Sequence, residues 1–474
     1  MPESSSKGRM SAFGVVPQAV VVPAADGFPL AAHRFEPPPG SSAVGQTDGQ
    51  EVRAVVVVVN ATGVQARFYH DFACWLAMQG LCAFTFDFRY SGNSFPKQWL
   101  DKLEGAGDEE EYAQVFEQAI RTAPDEIGLI RTWGREDLAA VARFAHDAHP
   151  RAPMCFFGNS LGGHLMTVLE PRMLQSFGVP IRFADVNGGN AHWRNHTEPE
   201  ESLFGFNEVI IKPIETDRLF RSSSLGLGYD IPYGPGKDWI DWFTHPLFSL
   251  HVPEDEQRAK ENVRMFDWIY FSFSDDETIS RHMMHQHASL LCGKGSRTKT
   301  LFIDPPKLKG WPKCGHVTCF RPSGPRLPNK TGSPRNVITG KADNSGEGSS
   351  SDIGEGSVVE EDDDDDDGAE RAVRGGEAYE PKELPEEIAR GEGADADAAS
   401  EPTELLGRED SIWQVFLKYA LEGLDTVDPA LGDLRTWDET NARDCDALRR
   451  EERLVRAKAA AEGAKGKTDS KARL

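Results

Sequence analysis

The sequence contains no apolar run approaching the ~20 residues that a membrane-spanning helix needs. Its start, Met1-Pro2-Glu3-Ser4-Ser5-Ser6-Lys7, lacks the charged-then-apolar pattern of a secretion signal. It has no Cys-x-x-Cys pair either. The seven cysteines (Cys74, Cys82, Cys155, Cys292, Cys314, Cys319 and Cys445) are odd in number and scattered, several inside apolar runs where a free thiol packs as a small hydrophobe. Nothing in this pattern calls for a disulfide framework, and a reducing, cytoplasmic setting is expected. No basic stripe is present to attract nucleic acid, and no internal repeat is visible.

Negative charge is abundant but concentrated. Residues 351–410 hold 23 Asp or Glu against 5 Lys or Arg, so 18 of the 24 net negative charges of the 474-residue chain lie in that window. Six consecutive aspartates, 362–367, sit within a longer stretch, 322–409, dominated by Gly, Ser, Asp, Glu and Pro. Such a composition cannot bury enough apolar surface to offset its ordering entropy, so a disordered acidic insertion is expected there. A solvated spacer is its plain reading, with calcium or a basic protein partner as alternatives. Residues 1–14 are read as a flexible N-terminus, 15–321 as one globular core, 410–424 as a helix that returns to it, and 425–474 as a charged tail.

Within the core, residues 15–23 and 29–35 read as two strands around the turn Ala25-Asp26-Gly27. Residues 53–60 include five valines in succession, the pattern of a strand covered on both faces in a parallel sheet. Apolar positions at helical spacing over 67–80, a stop at Gly80 and a strand over 82–88 complete a βαβ unit. Residues 97–130 are acidic and loosely patterned and read as a surface excursion. A helix is expected over about 133–148, then strands over 181–186, 268–274 and 299–303. Residues 194–260 interrupt this alternation with aromatics and turn residues, Trp239 and Trp242 among them, and are expected to cap the C-terminal edge of the sheet.

The stretch Met154-Cys155-Phe156-Phe157-Gly158-Asn159-Ser160-Leu161-Gly162-Gly163-His164 carries the most chemistry. An apolar strand runs into Gly-x-Ser-x-Gly and then into a helix-compatible run, which would lift Ser160 onto a sharp turn. By itself the pentapeptide is equally a glycine-bearing turn with an incidental serine. An acylating serine also needs a base, a carboxylate to orient that base, and two amide donors for the oxyanion. Asp275-Asp276 follows a later strand and His316 follows the last, in the order serine, acid, histidine. His282, His285 and His287 have offsets that suit a solvated helix face better than a metal site, and His164 and His192 read as packing groups or as groups that support the site from behind. No metal or organic cofactor is called for.

The elbow combines with Asn60-Ala61-Thr62-Gly63, Asp87-Phe88-Arg89-Tyr90-Ser91-Gly92-Asn93-Ser94, Trp133-Gly134-Arg135-Glu136-Asp137-Leu138 and Gly315-His316 leading to Phe320-Arg321. In this set, which covers roughly 15–321 plus 411–424, the chain resembles the α/β-hydrolase superfamily, and within it the serine-aminopeptidase-like and monoacylglycerol-lipase-like groups. The resemblance implies an α/β fold with a mostly parallel central sheet flanked by helices and an inserted cap. It implies Ser160 as nucleophile, His316 as general base and Asp276 as acid, since the family's Asp with an apolar residue three positions on fits Asp276 and Ile279; Asp275 stands in reserve. Leu161 would give one oxyanion amide and Thr62 the other, with Gly63 as fallback. Asn60-Ala61 stands where relatives have His-Gly, and Asn159 where most have His. The implied activity is hydrolysis of a carboxylic ester of a medium or long acyl chain through an acyl-Ser160 intermediate, a peptide substrate remaining open. Acyl transfer to an alcohol or thiol is one alternative. The other is a catalytically inactive fold that binds partners through its acidic segment.

Overall fold

A computed structural model describes residues 15–39, 52–225, 228–293, 296–305, 313–321 and 411–436. The acidic stretch 322–409 and the segments 1–14 and 437–474 lie outside the described residues. All described residues belong to one compact unit, Met1–Gly340 with Asp395–Leu474.

In chain order the elements are strands β1 (Gln18–Pro23), β2 (Pro29–Phe35) and β3 (Val55–Val59), helix α1 (His70–Met78), β4 (Cys82–Phe86), α2 (Lys97–Glu104), α3 (Glu109–Arg121) and α4 (Leu138–Ala148). Next come β5 (Met154–Asn159), α5 (Leu161–Met166), α6 (Pro171–Ser176), β6 (Ile181–Val186), α7 (Pro199–Phe206), α8 (Lys212–Asp217), β7 (Leu219–Phe220), β8 (Ile231–Pro232), α9 (Tyr233–Thr244) and α10 (Pro253–Met265). The last are β9 (Asp267–Phe273), α11 (Arg281–Leu291), β10 (Thr298–Ile303), α12 (Ile412–Glu422) and β11 (Asp433–Thr436).

The five valines of β3 show how the sequence builds the sheet. Every one is buried; Val55, Val57 and Val59 enter one hydrophobic core while Val56 and Val58 enter another on the opposite face. That is the two-residue period of a strand whose two faces are both covered. Nine described strands form one sheet in the order β1-β2-β4-β3-β5-β6-β9-β10-β11. β4, β3, β5, β6, β9 and β10 run parallel, and β1, β2 and β11 add antiparallel edges. The parallel strands therefore send their C-terminal ends to one side, where loops can converge.

Two regions differ from the sequence reading. The acidic stretch expected to be a surface excursion forms two helices, α2 and α3, and in α3 the charges sit where a helix start favours them. Asp108 caps α3 by accepting from the Glu111 amide at 2.8 Å, and Glu109, Glu110 and Glu111 occupy the first turn. Phe95, Trp99, Leu103, Phe116 and Ile120 then make a small core of their own with Leu219 of the expected cap. The second difference lies in the expected charged tail, where Asp433–Thr436 pairs antiparallel with β10.

The expected cap region holds α7, α8, the β7–β8 hairpin and α9, with Phe206 and Phe243 stacked and Trp242 buried. Its end, Pro253 onward, is α10, which leads back into β9. On the opposite face α12 packs Trp413 and Phe416 against Phe72 of α1, and Trp413 Nε1 donates to the Cys319 carbonyl at 2.8 Å. No helix among the described residues is long and apolar enough to cross a membrane.

Candidate active site

Ser160 follows β5 with φ 52° and ψ −111°, a backbone conformation that costs a non-glycine residue about 1–3 kcal/mol. The glycines on either side permit it. A Cβ on Gly158 would lie 2.5 Å from the Gly162 carbonyl carbon, and one on Gly162 would lie 2.2 Å from the Val59 carbonyl oxygen. The strand, the turn and α5 are thus folded too closely for any side chain at these two positions.

Asp276 follows β9 and His316 lies in the loop beyond β10. His316 Nδ1 stands 2.8 Å from Asp276 Oδ2, and the Asp276 side chain is fully buried. The other carboxylate oxygen accepts the Thr278 and Ile279 amides at 2.8 and 3.0 Å. Because a carboxylate only accepts, Nδ1 carries the proton and Nε2 is left to accept one. Asp275 points elsewhere: its Oδ2 accepts the Cys314 amide at 2.8 Å, tying down the start of the His316 loop. The structure brings Asp276, not Asp275, to His316.

The His316 backbone is fixed to the elbow. Its carbonyl accepts from Asn159 Nδ2 at 3.1 Å and from Asn187 Nδ2 at 2.9 Å, and Asn187 also donates to the Gly315 carbonyl at 3.0 Å. Ser160 and His316 make no hydrogen bond to each other here. Such contacts often close only when substrate is bound.

The turn after β3 supplies the other side. Asn60 is buried and donates to the Phe86 carbonyl at 2.8 Å, anchoring the turn to β4. The Ala61 amide is taken by the Tyr69 hydroxyl at 3.0 Å, and the Ala61 carbonyl by the Val64 amide at 3.2 Å. In a trans peptide the Thr62 N–H points away from the Ala61 carbonyl, so it leaves this turn on the opposite side from Val64. The Leu161 amide opens α5, where the helix offers it no acceptor.

Around this lies a supporting frame. Asp87 accepts the Ala66 and Asn93 amides at 2.7 and 3.0 Å, and burial pushes its carboxyl up to about 6. Arg89 meets Asp137 through Nε at 2.8 Å and Nη2 at 2.6 Å, and Asp26 through Nη1 at 2.7 Å. Two motif segments singled out in the sequence are therefore bound to each other. The expected cap region approaches the turn after β3 directly, with the Tyr229 amide donating to the Gly63 carbonyl at 2.7 Å. This contact leaves only a small void of about 10 Å³, lined by Val64, Phe88, Trp133 and Ile231 together with the polar Gln65, Ser91 and Asp230.

Of the remaining histidines, His164 and His192 are buried, in keeping with the expected packing role, and one, His287, departs from the expected solvated helix face. His282 is exposed, but His287 is fully buried under α5, its ring 4.3 Å from that of His164. Burial holds His287 well below the usual histidine range and lowers His164 and His192 to about 3. Among the described residues one trio could ligate a metal, Glu36, Cys82 and His149. The Arg34 guanidinium fills it, pairing with Glu36 and lying 3.2 Å from His149 Nε2, so a cation is disfavoured there.

A parallel sheet in this strand order, with a strained serine after β5, an acid after β9 and a histidine after β10, decides the architecture. The chain has the α/β-hydrolase fold. No family model matches it, and no curated protein does. Among solved structures the hydrolase fold here is similar to a serine hydrolase without a lid from Xanthomonas campestris, at 12% identity over 63% of this chain and 85% of that one, TM-score 0.30. It is similar also to an esterase from Pyrococcus furiosus, at 10% identity over 65% and 86%, TM-score 0.35. A thermophilic esterase from Thermogutta terrifontis aligns at 9% identity over 64% and 93%, TM-score 0.36. The fold itself rests on this chain's own strand order and elbow.

Sequence reasoning passed over Tyr69 and Asn187, and noted Asn159 only as a departure from the family, without its bond to the His316 loop. Asn187 had a local signal, since Asn187-Gly188 favours a left-handed residue and its φ is 61°. The other two had none, because their partners lie far along the chain.

Proposed function

We propose that the chain is a serine hydrolase that cleaves a carboxylic ester through an acyl-Ser160 intermediate. The observation that carries this reading is the His316–Asp276 contact on a loop hydrogen-bonded to Asn159, the residue before the strained serine. In the proposed reaction Ser160 Oγ attacks the ester carbonyl while His316 Nε2 takes its proton. The Leu161 and Thr62 amides hold the oxyanion as charge develops on it. Asp276 keeps the ring in the required tautomer and stabilises the imidazolium that forms. The imidazolium then protonates the departing alcohol, and His316 next activates a water that releases the acid.

A fluorophosphonate probe is expected to label the protein at Ser160, and p-nitrophenyl esters of increasing chain length to be turned over. Probe labelling that persists in Ser160→Ala would falsify the assignment.

A further inference from the structure

Asn159 is fully buried between three corners of the site, and every polar atom of its side chain is used. Its Nδ2 donates to the His316 carbonyl at 3.1 Å and to the Val186 carbonyl at 3.2 Å; its Oδ1 accepts the Tyr69 hydroxyl at 3.0 Å. Tyr69 in turn accepts the Ala61 amide. Only one arrangement of protons satisfies this chain. Backbone carbonyls can only accept, which fixes the Asn159 amide with nitrogen toward His316 and Val186. The Ala61 amide can only donate, so the phenol must donate its own hydrogen bond to Asn159 Oδ1. Burial raises the Tyr69 phenol far above its usual range, keeping it a neutral donor.

We infer that Asn159 and Tyr69 form a positioning relay, one that sets the distance of the oxyanion turn and of the His316 loop from Ser160. Neither touches the reacting atoms. Tyr69 fixes the Asn60–Ala61 peptide, the one that leads into the Ala61–Thr62 peptide whose carbonyl the Val64 amide holds, so it anchors the start of the turn that presents the Thr62 amide. Asn159 fixes the backbone of the base from the residue adjacent to the nucleophile, so a shift at either end moves two catalytic groups relative to the third. An isolated buried asparagine at a strand end would serve stability equally well, but this one joins segments contributed by α1's approach, β5 and the loop beyond β10. The inference rests on the serine-hydrolase reading above.

The test is steady-state kinetics on the most active ester, together with fluorophosphonate labelling rates, for wild type, Tyr69→Phe, Asn159→Ala and the double variant. Val263→Ala, a core change on α10, supplies a stability control. Since a misplacement of ~1 Å can cost about 10²-fold, Asn159→Ala should lower kcat about 10²-fold and Tyr69→Phe about 10-fold, each with KM within about threefold. Groups acting as a unit are not additive, so the double variant should be no more than about threefold worse than Asn159→Ala. Tyr69→Phe, which removes one atom, keeps the test open if Asn159→Ala does not fold. Variants that retain kcat within about twofold, or lose no more than Val263→Ala at a matched melting temperature, would overturn the relay and leave the hydrolase reading intact. A folded wild type with neither turnover nor labelling would instead remove the hydrolase reading, and the relay with it.

Discussion

Asp276 Oδ2 lies 2.8 Å from His316 Nδ1, while Asp276 Oδ1 holds two backbone amides; the neighbouring Asp275 faces the Cys314 amide instead. Two adjacent carboxylates with the same local sequence environment thus have different tasks, and substitution should separate them. Asp276→Asn should lower kcat by roughly 10³–10⁴, because an amide at this point favours the wrong imidazole tautomer. Asp275→Asn should cost far less, through a loosened His316 loop. Parallel kcat measurements decide; equal losses would remove the assignment.

The Ala61–Val64 turn, proposed to hold the oxyanion, allows a donor to be deleted without a change of shape. Val64 N–H to the Ala61 carbonyl and a Gly63 φ of 66° describe a turn with Thr62 at its second position, where proline is readily accepted. Thr62→Pro should therefore fold with an unchanged circular dichroism spectrum and lose about 10²–10³ in kcat, the cost of one oxyanion donor. A fully active, folded Thr62→Pro would show that the donor lies elsewhere, with Gly63 next in line.

Strain at Ser160 should be measurable as stability. With φ at 52°, Ser160→Gly relieves a conformation that Ser160→Ala retains. The glycine variant should be the more stable by about 1–2 kcal/mol, a melting temperature higher by roughly 2–4 °C in a domain of this size. Differential scanning calorimetry of the two inactive variants settles it.

Asp185 gives the fold a pH dependence. It is fully buried at the end of β6, one oxygen accepting the Gly188 amide at 2.9 Å and the other 4.0 Å from His287 Nε2 with no hydrogen bond. Burial raises its carboxyl to about 8, against ~3.9 in an unfolded chain. The folded state therefore binds this proton more tightly; the stabilisation is complete below about pH 4 and is lost as pH rises toward 8. Asp185→Asn keeps an acceptor for Gly188 and does not ionise, so its melting temperature should fall by several degrees less than that of wild type between pH 5 and pH 8. Parallel curves would show that Asp185 does not titrate in this window.

Much of the sheet is legible without coordinates, for a local reason. The valines of β3 alternate between two cores, and glycines fit at Gly158 and Gly162 because backbone stands where their side chains would be. Period and turn chemistry are properties of neighbouring residues. The acidic helix α3 was obscured because its charges mark a helix start more than they mark an apolar face, and its burial against Leu219 depends on a segment about a hundred positions later. β11 was obscured in the same way, by a partner strand far back in the chain.

The sequence by itself determined where a strained serine could stand and the order in which an acid and a histidine follow it, since strand, glycine and turn are read from adjacent residues. Only the tertiary structure decided which aspartate meets His316 and which side chains hold its loop. Asn159 and His316 are 157 positions apart, and their bond joins a side-chain amide to a backbone carbonyl, a group every residue carries. Nothing in a residue's own type or spacing names such a partner; the packing of β5 beside the loop beyond β10 does.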